Sequence, residues 1–224
     1  MSRRPQFLFL IALSILTINI LFLGSCKKDV KTYGIAGTIS APQLHLKVSG
    51  AKVSLKASKV QSGVYNPNYT EIDAYTTSSD GKFNFSVKHD NVSGYRIDIT
   101  KDKYFDASID LKTEDVQNDG ETNISLDLIP VGEITLIVKN TTPQTADDNI
   151  KFRFSNVAVK GKDCWTNDAT EGIGPSYNIS KTGKVTGNKE MYLEWIVTKK
   201  GNQHIYKDTI LSEAFKIVTY HINY

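Results

Sequence analysis

Apolar and polar residues alternate through much of the chain with a period of two. Ala51, Val53, Leu55 and Ala57 are interleaved with Lys52, Ser54, Lys56 and Ser58. The same spacing sets Phe83, Phe85 and Val87 against Lys82, Asn84 and Ser86, and Tyr95, Ile97 and Ile99 against Arg96, Asp98 and Thr100. Ile124, Leu126 and Leu128 alternate with Asn123, Ser125 and Asp127. Successive side chains of a strand point to opposite faces, so each run predicts a strand with one buried and one wet face. Further strands are predicted over 134–138, 150–154, 191–198, 204–210 and 215–222, with Leu193, Trp195 and Val197 turned inward. Asp80-Gly81 marks the sharpest turn, and Lys200-Gly201-Asn202 makes a hairpin of the strands on either side of it. Half-wet sheets cover their apolar faces with each other, which predicts an all-β chain built from β-sandwiches. A boundary is predicted near Ile129-Pro130-Val131-Gly132, where proline ends a strand and glycine loosens the join, dividing 33–130 from 131–224. Residues 156–176, with Gly161, Gly172, Gly174 and Pro175, have the weakest periodicity and predict an irregular loop.

The first 26 residues follow another pattern. Arg3 and Arg4 precede an apolar run from Phe7 to Leu23, broken only by Ser14, Thr17 and Asn19. That order is the pattern of an export signal, although a run of roughly 17–20 apolar residues is also long enough for an uncleaved anchor. Leu23-Gly24-Ser25-Cys26 resembles the lipobox of bacterial lipoproteins. The resemblance implies cleavage of 1–25, a diacylglyceryl group on the Cys26 thiol and a short polar tether over 26–32. It also implies an outer-membrane location, held by lipid. Lys28-Asp29 matches half of the lysine-then-acid pattern of surface-exposed Bacteroidetes lipoproteins, with Val30 departing from it. A surface or a periplasmic face is thus equally open.

Charge removes one class of partner. The chain has 27 basic and 24 acidic residues, and loss of Arg3 and Arg4 with the leader brings these close to balance. Neither half carries the basic excess of a nucleic-acid binder. Of the two cysteines, Cys164 is left without a partner if Cys26 carries lipid, so stability rests on core burial.

Gly37-Thr38-Ile39, Gly50-Ala51-Lys52-Val53-Ser54-Leu55, Thr76-Thr77 and Ser79-Asp80-Gly81-Lys82-Phe83-Asn84-Phe85 together resemble the carboxypeptidase regulatory-like domain. That family is a transthyretin-like β-sandwich attached to many exported proteins and is not itself catalytic. The resemblance covers Tyr33 to Ile129 and does not predict the excursion from Lys59 to Thr70. The expectation is two immunoglobulin-like or transthyretin-like sandwiches in tandem after a cleaved lipoprotein signal. Residues 131–224 resemble the β-rich tails of small Bacteroidetes lipoproteins.

Candidate chemistry is sparse. No two of His45, His89, His204 and His221 stand at metal-ligand spacing, although His204 and His221 fall in predicted strands. There is no Gly-x-Ser-x-Gly elbow and no phosphate-binding glycine loop, so no cofactor is expected. Asn118-Asp119-Gly120-Glu121 and Asp147-Asp148-Asn149 are oxygen-rich turns with part of a calcium loop's ligand alternation. Glu194, beside Trp195, is expected to face solvent. Tyr65 and Tyr69 flank an Asn-Pro-Asn turn, and Trp165 and Tyr177 bracket the glycine-rich loop with Asp163, Asp168 and Glu171. Exposed rings beside amides and carboxylates can stack on sugars; alternatively, the same rings cap the ends of the sandwiches. Asp208-Thr209-Ile210 resembles a Bacteroidetes O-glycosylation acceptor, centred on Thr209. The leading expectation is a non-catalytic, membrane-anchored lipoprotein with a protein or glycan partner. The alternatives are a glycan-binding or glycan-acting protein using the loop at Trp165, and an accessory subunit of a nutrient-uptake or adhesion complex.

Overall fold

Alternation becomes architecture in the computed structural model, which describes residues 32–61, 64–88, 91–117 and 120–224. Residues 1–31, Cys26 among them, together with His89 and Asn118-Asp119 lie outside the described residues. The first half runs β1 (Thr32–Ala41), β2 (Leu46–Lys47), β3 (Lys52–Gln61), β4 (Val64–Tyr65), β5 (Thr70–Thr76), β6 (Lys82–Lys88), β7 (Val92–Thr100), β8 (Ala107–Leu111) and β9 (Glu121–Asp127). A short helix, Thr113–Gln117, links the last two strands. One sheet centres on β1, flanked by β2, β6 and β9; the other sets β3 between β7 on one side and β4 and β5 on the other, with β8 beyond β7. The two inner faces fill one core. Ile35, Ile39, Phe83 and Phe85 come from the first sheet and Val53, Leu55, Ile97 and Ile99 from the second.

The residues that carry the regulatory-like resemblance have structural work to do here. Gly81 holds φ at +74° in the turn before β6, and an added Cβ would stand 2.5 Å from the Ile39 carbonyl oxygen. Its carbonyl accepts from the Ile39 amide at 2.9 Å, closing the turn onto β1. Buried Thr77 accepts from the Ala51 amide at 2.8 Å and donates to the Val48 carbonyl at 2.7 Å, tying the start of β3 to the end of β5. The excursion after Lys59 is an extension of β3 with β4 folded back on it, Val60 opposite Tyr65.

The second half runs β10 (Val131–Lys139), β11 (Asn149–Phe154), β12 (Thr170–Ile173), β13 (Asn178–Thr186), β14 (Lys189–Lys199), β15 (Asn202–Ser212) and β16 (Ile217–Asn223). Three strands in the order β13-β10-β16 face four in the order β12-β11-β14-β15. A second, separate core lies between them, with Ile134, Leu136 and Val138 against Ile150, Phe152, Phe154 and Leu193. Each half places its first strand at the centre of a sheet and pairs it in parallel with its last: β1 with β9, β10 with β16. Among the described residues no helix is long and apolar enough to cross a membrane.

Two predicted segments differ from expectation. The stretch 156–176 is irregular only to residue 169; β12 follows, because Glu171 and Gly172 find ladder partners in Lys151 and Ile150. Phe215 is not in a strand. It takes φ = +66° before β16 and meets the Tyr104 ring edge-on, 5.3 Å between centroids. Around it, the Phe215 amide donates to Val131 O (2.7 Å), Gly187 to Pro130 O (2.8 Å) and Val131 to Lys103 O (2.9 Å). A Cβ on Gly132 would stand 2.1 Å from Ser212 Oγ. Glycine at 132 therefore permits close approach rather than a loose join.

Candidate functional site

The β14–β15 hairpin builds the most distinctive surface of the chain. Its turn has two residues, Lys200 (φ +48°) and Gly201 (φ +78°), both left-handed as a primed hairpin turn requires. With Lys199 opposite Asn202, the register sets Trp195 opposite Tyr206. Their rings stack at 5.5 Å and 14°, and Tyr220 of β16 meets Trp195 edge-on at 6.4 Å. His204, Tyr206 and Asp208 share the inward face of Trp195 and are exposed, because the facing sheet is one strand narrower and leaves β15 uncovered. The result is an open cleft of about 440 Å³ between the edges of β15 and β16, lined by Trp195, Tyr206 and Tyr224 together with Gln144, Asn202 and Asn223.

Hydrogen bonds fix its walls. The Tyr220 hydroxyl donates to Asp208 Oδ2, and the Thr209 amide donates to Asp208 Oδ1 at 2.7 Å. Those bonds hold the Asp208 carboxyl below the usual range, while burial, then the Asp208 charge, pushes the Tyr220 phenol up to about 12. At the other end Lys199 Nζ donates to Asn140 Oδ1 (3.0 Å), Thr142 O (2.6 Å) and Thr142 Oγ1 (2.9 Å). Asn140 Nδ2 donates in turn to buried Asp148 (2.9 Å), which also accepts from the Gln144 and Thr145 amides at 2.8 and 3.0 Å. Together these donors, Asn140 first, lower the Asp148 carboxyl to about 2. Both Asp148 oxygens are thus occupied by donors, and the turn at 147–149 is a structural clamp instead of a calcium loop.

No family model matches the chain, and no curated protein does. Solved structures overlap it loosely. The shaft pilin SpaA from Lactobacillus rhamnosus GG is 11% identical, covering 86% of this chain and 98% of its own, with a TM-score of 0.35. The Bacillus anthracis TIE protein is 9% identical over 86% of this chain and 34% of its own, at 0.36. The minor pilin GBS52 from Streptococcus agalactiae is 14% identical over 85% and 94%, at 0.33. Superpositions this loose say nothing of what the present chain binds.

The fold rearranges the residues singled out from sequence. Trp165 is only 4% exposed; its indole Nε1 donates to Ile134 O at 2.9 Å, and its ring meets Phe154 at 5.2 Å. Gly183 leaves the room it needs, since a Cβ there would lie 2.7 Å from the indole. Half-buried Tyr177 lies over Gly172, where an added Cβ would stand 2.1 Å from the ring. Trp165 belongs to the core and Tyr177 packs against it, as in the reading that these rings cap the sandwich, and the alternative glycan site at Trp165 finds no open indole face. Asp163 accepts the Lys184 amide through its backbone, whereas Glu171 stands on β12 with Asn149 and Lys151, so the acidic residues of that loop serve different sheets. Burial raises the Cys164 thiol above its ordinary value.

In the first half, the Tyr69 ring is covered by the Arg96 guanidinium at 4.4 Å, itself paired with Asp110 at 2.6 Å. The Tyr65 side chain lies outside the described residues. His204 and His221 stand on different sheets, and among the described residues no cluster of His, Cys, Asp or Glu is fit to hold a metal. Glu194 lies on the outer face, bonded to Lys207 (2.9 Å) and Arg153 (3.1 Å), which hold its carboxyl below the usual range. Sequence reasoning passed over Tyr206. The hairpin turn carried the signal, because a two-residue turn at Lys200-Gly201 makes 206 the cross-strand partner of 195.

Proposed function

We propose that this chain is a non-catalytic lipoprotein of the outer membrane that carries a binding cleft and is anchored by a lipid on Cys26. Residues 1–25 act as the export signal, 26–32 as the tether, 33–130 as a carboxypeptidase regulatory-like sandwich and 131–224 as the domain that carries recognition. The observation that carries the binding reading is the Trp195–Tyr206 cleft. Two carboxylates beside it, and one on the opposite face of β14, are committed: Asp208 to Tyr220, Asp148 to Asn140 and Glu194 to two cations. Each is held in its ionised form, whereas glycoside cleavage needs one carboxylic acid with a raised pKa. The arrangement suits holding a ligand and not protonating a leaving group.

The lipobox and the two separate cores support the anchored reading. Two acyl chains attach a protein stably where one binds marginally, so a diacylglyceryl group on Cys26 suffices as the attachment. Exposed Thr209 on β15 is offered as an O-glycan acceptor, and intact mass carrying lipid but no sugar would remove that assignment. Growth with a labelled fatty acid tests the anchor. Label is expected in the wild-type protein and absent from Cys26→Ala, which should be released or left unprocessed. Equal label in both, or none in either, overturns it.

A further inference from the structure

We propose that the cleft between β15 and β16 binds a neutral carbohydrate chain, with Tyr206 and Trp195 as its stacking platform. The inference rests on the binding reading above and names the ligand class. A pyranose presents an apolar C–H face ringed by hydroxyls that both donate and accept. The cleft presents the matching surface. Tyr206 is 45% exposed and is braced from behind by the near-parallel Trp195 ring. Around the rings stand the amides of Gln144, Asn202 and Asn223, groups that donate and accept at one site. The Tyr224 ring, 7% exposed, lines the cleft beside them. A volume of about 440 Å³ lies in the range of ligand clefts.

A neutral chain suits the lining, in which Lys199 is the one side chain with a fixed charge and His204 stands beside it. Lys199 has three N–H donors and three acceptors within reach, so it has none to spare for a ligand carboxylate. Extended peptides meet a β15 edge that is closed at one position. They recognise sheets through free edge amides, and on β15 the Thr209 amide already donates to Asp208 Oδ1. The edge strand β5 is blunted in the same way, with the Ala74 amide on Asp73 Oδ1 at 2.8 Å.

The test is affinity electrophoresis of the intact protein in gels holding pullulan, laminarin, galactomannan, arabinoxylan or α-mannan, with tryptophan fluorescence followed in parallel. At least one polysaccharide should retard the protein and shift its emission. Tyr206→Ala should weaken that binding by about tenfold or more, the loss of roughly one aromatic contact. Tyr206→Phe should keep it, and Tyr192→Ala, on the opposite face of the same hairpin, should leave it unchanged. Retardation by none of the five, or equal retardation of wild type and Tyr206→Ala, overturns the proposal. Crosslinking of the membrane-borne protein separates the two possible failures. A protein partner lost in Tyr206→Ala, with no polysaccharide retained, overturns the carbohydrate and keeps the binding reading. No partner of either kind overturns both.

Discussion

The two halves of the chain share a plan and differ in what they show to solvent. Both put the first strand at the centre of a sheet in parallel with the last, and both fill a separate core from two inner faces. The groove over β1, β6 and β9 is lined mostly by small and polar residues, with Ala36, Thr38, Asn84, Asn123 and Ser125 beside Tyr75 and Phe83. The first half exposes Leu46, Ile72 and Tyr75 among its large apolar side chains, and the second exposes more, including Tyr192, Ile205, Tyr206, Leu211, Phe215 and Ile217. Recognition is proposed for the second half, on the face of the hairpin that carries Trp195 and Tyr206.

The largest effects should fall on the cores, and fall alike. Trp165→Ala and Phe83→Ala each remove a buried ring and should cost about 3–5 kcal/mol in chemical denaturation. A Trp165→Ala protein with wild-type stability would break the claim that this ring is core and reopen the loop as a site. Next come two carboxyls lowered to about 2 by different means, Asp148 by buried donors and Asp80 by Lys82 and Ser78 at an exposed turn. Asp148→Asn should destabilise more than Asp80→Asn at neutral pH, because only Asp148 satisfies enclosed donors. A carboxyl depressed in the folded state stabilises it fully above the unfolded value near 3.9, and this contribution fades as pH falls toward 2. Thermal melts of wild type and Asp148→Asn should therefore be furthest apart above about pH 4 and converge toward pH 2. A gap that widens on acidification contradicts the assignment.

Smaller stability effects sharpen the contrast on the surface. Tyr206→Ala loses one stacked pair and should cost about 0.5–1.5 kcal/mol while removing binding. Arg96→Ala, in the first half, breaks an exposed pair with Asp110 and should lower the thermal midpoint only slightly, with no effect on binding. If Arg96→Ala reduced ligand retention, recognition would not be confined to the second half.

How far this was legible depended on where side chains were sent. Strands with one buried face declared themselves by alternation, as at 51–57, 83–87 and 95–99, and the turn at Lys200-Gly201 gave the hairpin. β5 and β13 did not. All seven side chains of Thr70–Thr76 are exposed, so pairing to β3 leaves no trace in the apolar pattern. Asn178–Thr186 is polar along most of its length and is held by the backbone of β10. The different burial of the two tryptophans was illegible for a related reason. Trp165 sits in a glycine-rich stretch that looks exposed, yet Gly183 on a neighbouring strand opens a pocket for it. Trp195 has the inward phase of a core residue but lies where the facing sheet runs out. Neither fact is local in sequence.

The central claim is that recognition belongs to the second half. It is tested most directly by comparing Tyr206→Ala with Tyr75→Ala, the tyrosine that lines the first half's groove, in the same polysaccharide gels. The account predicts lost retardation for Tyr206→Ala and wild-type retardation for Tyr75→Ala. Lost retardation for Tyr75→Ala with Tyr206→Ala unaffected would contradict it.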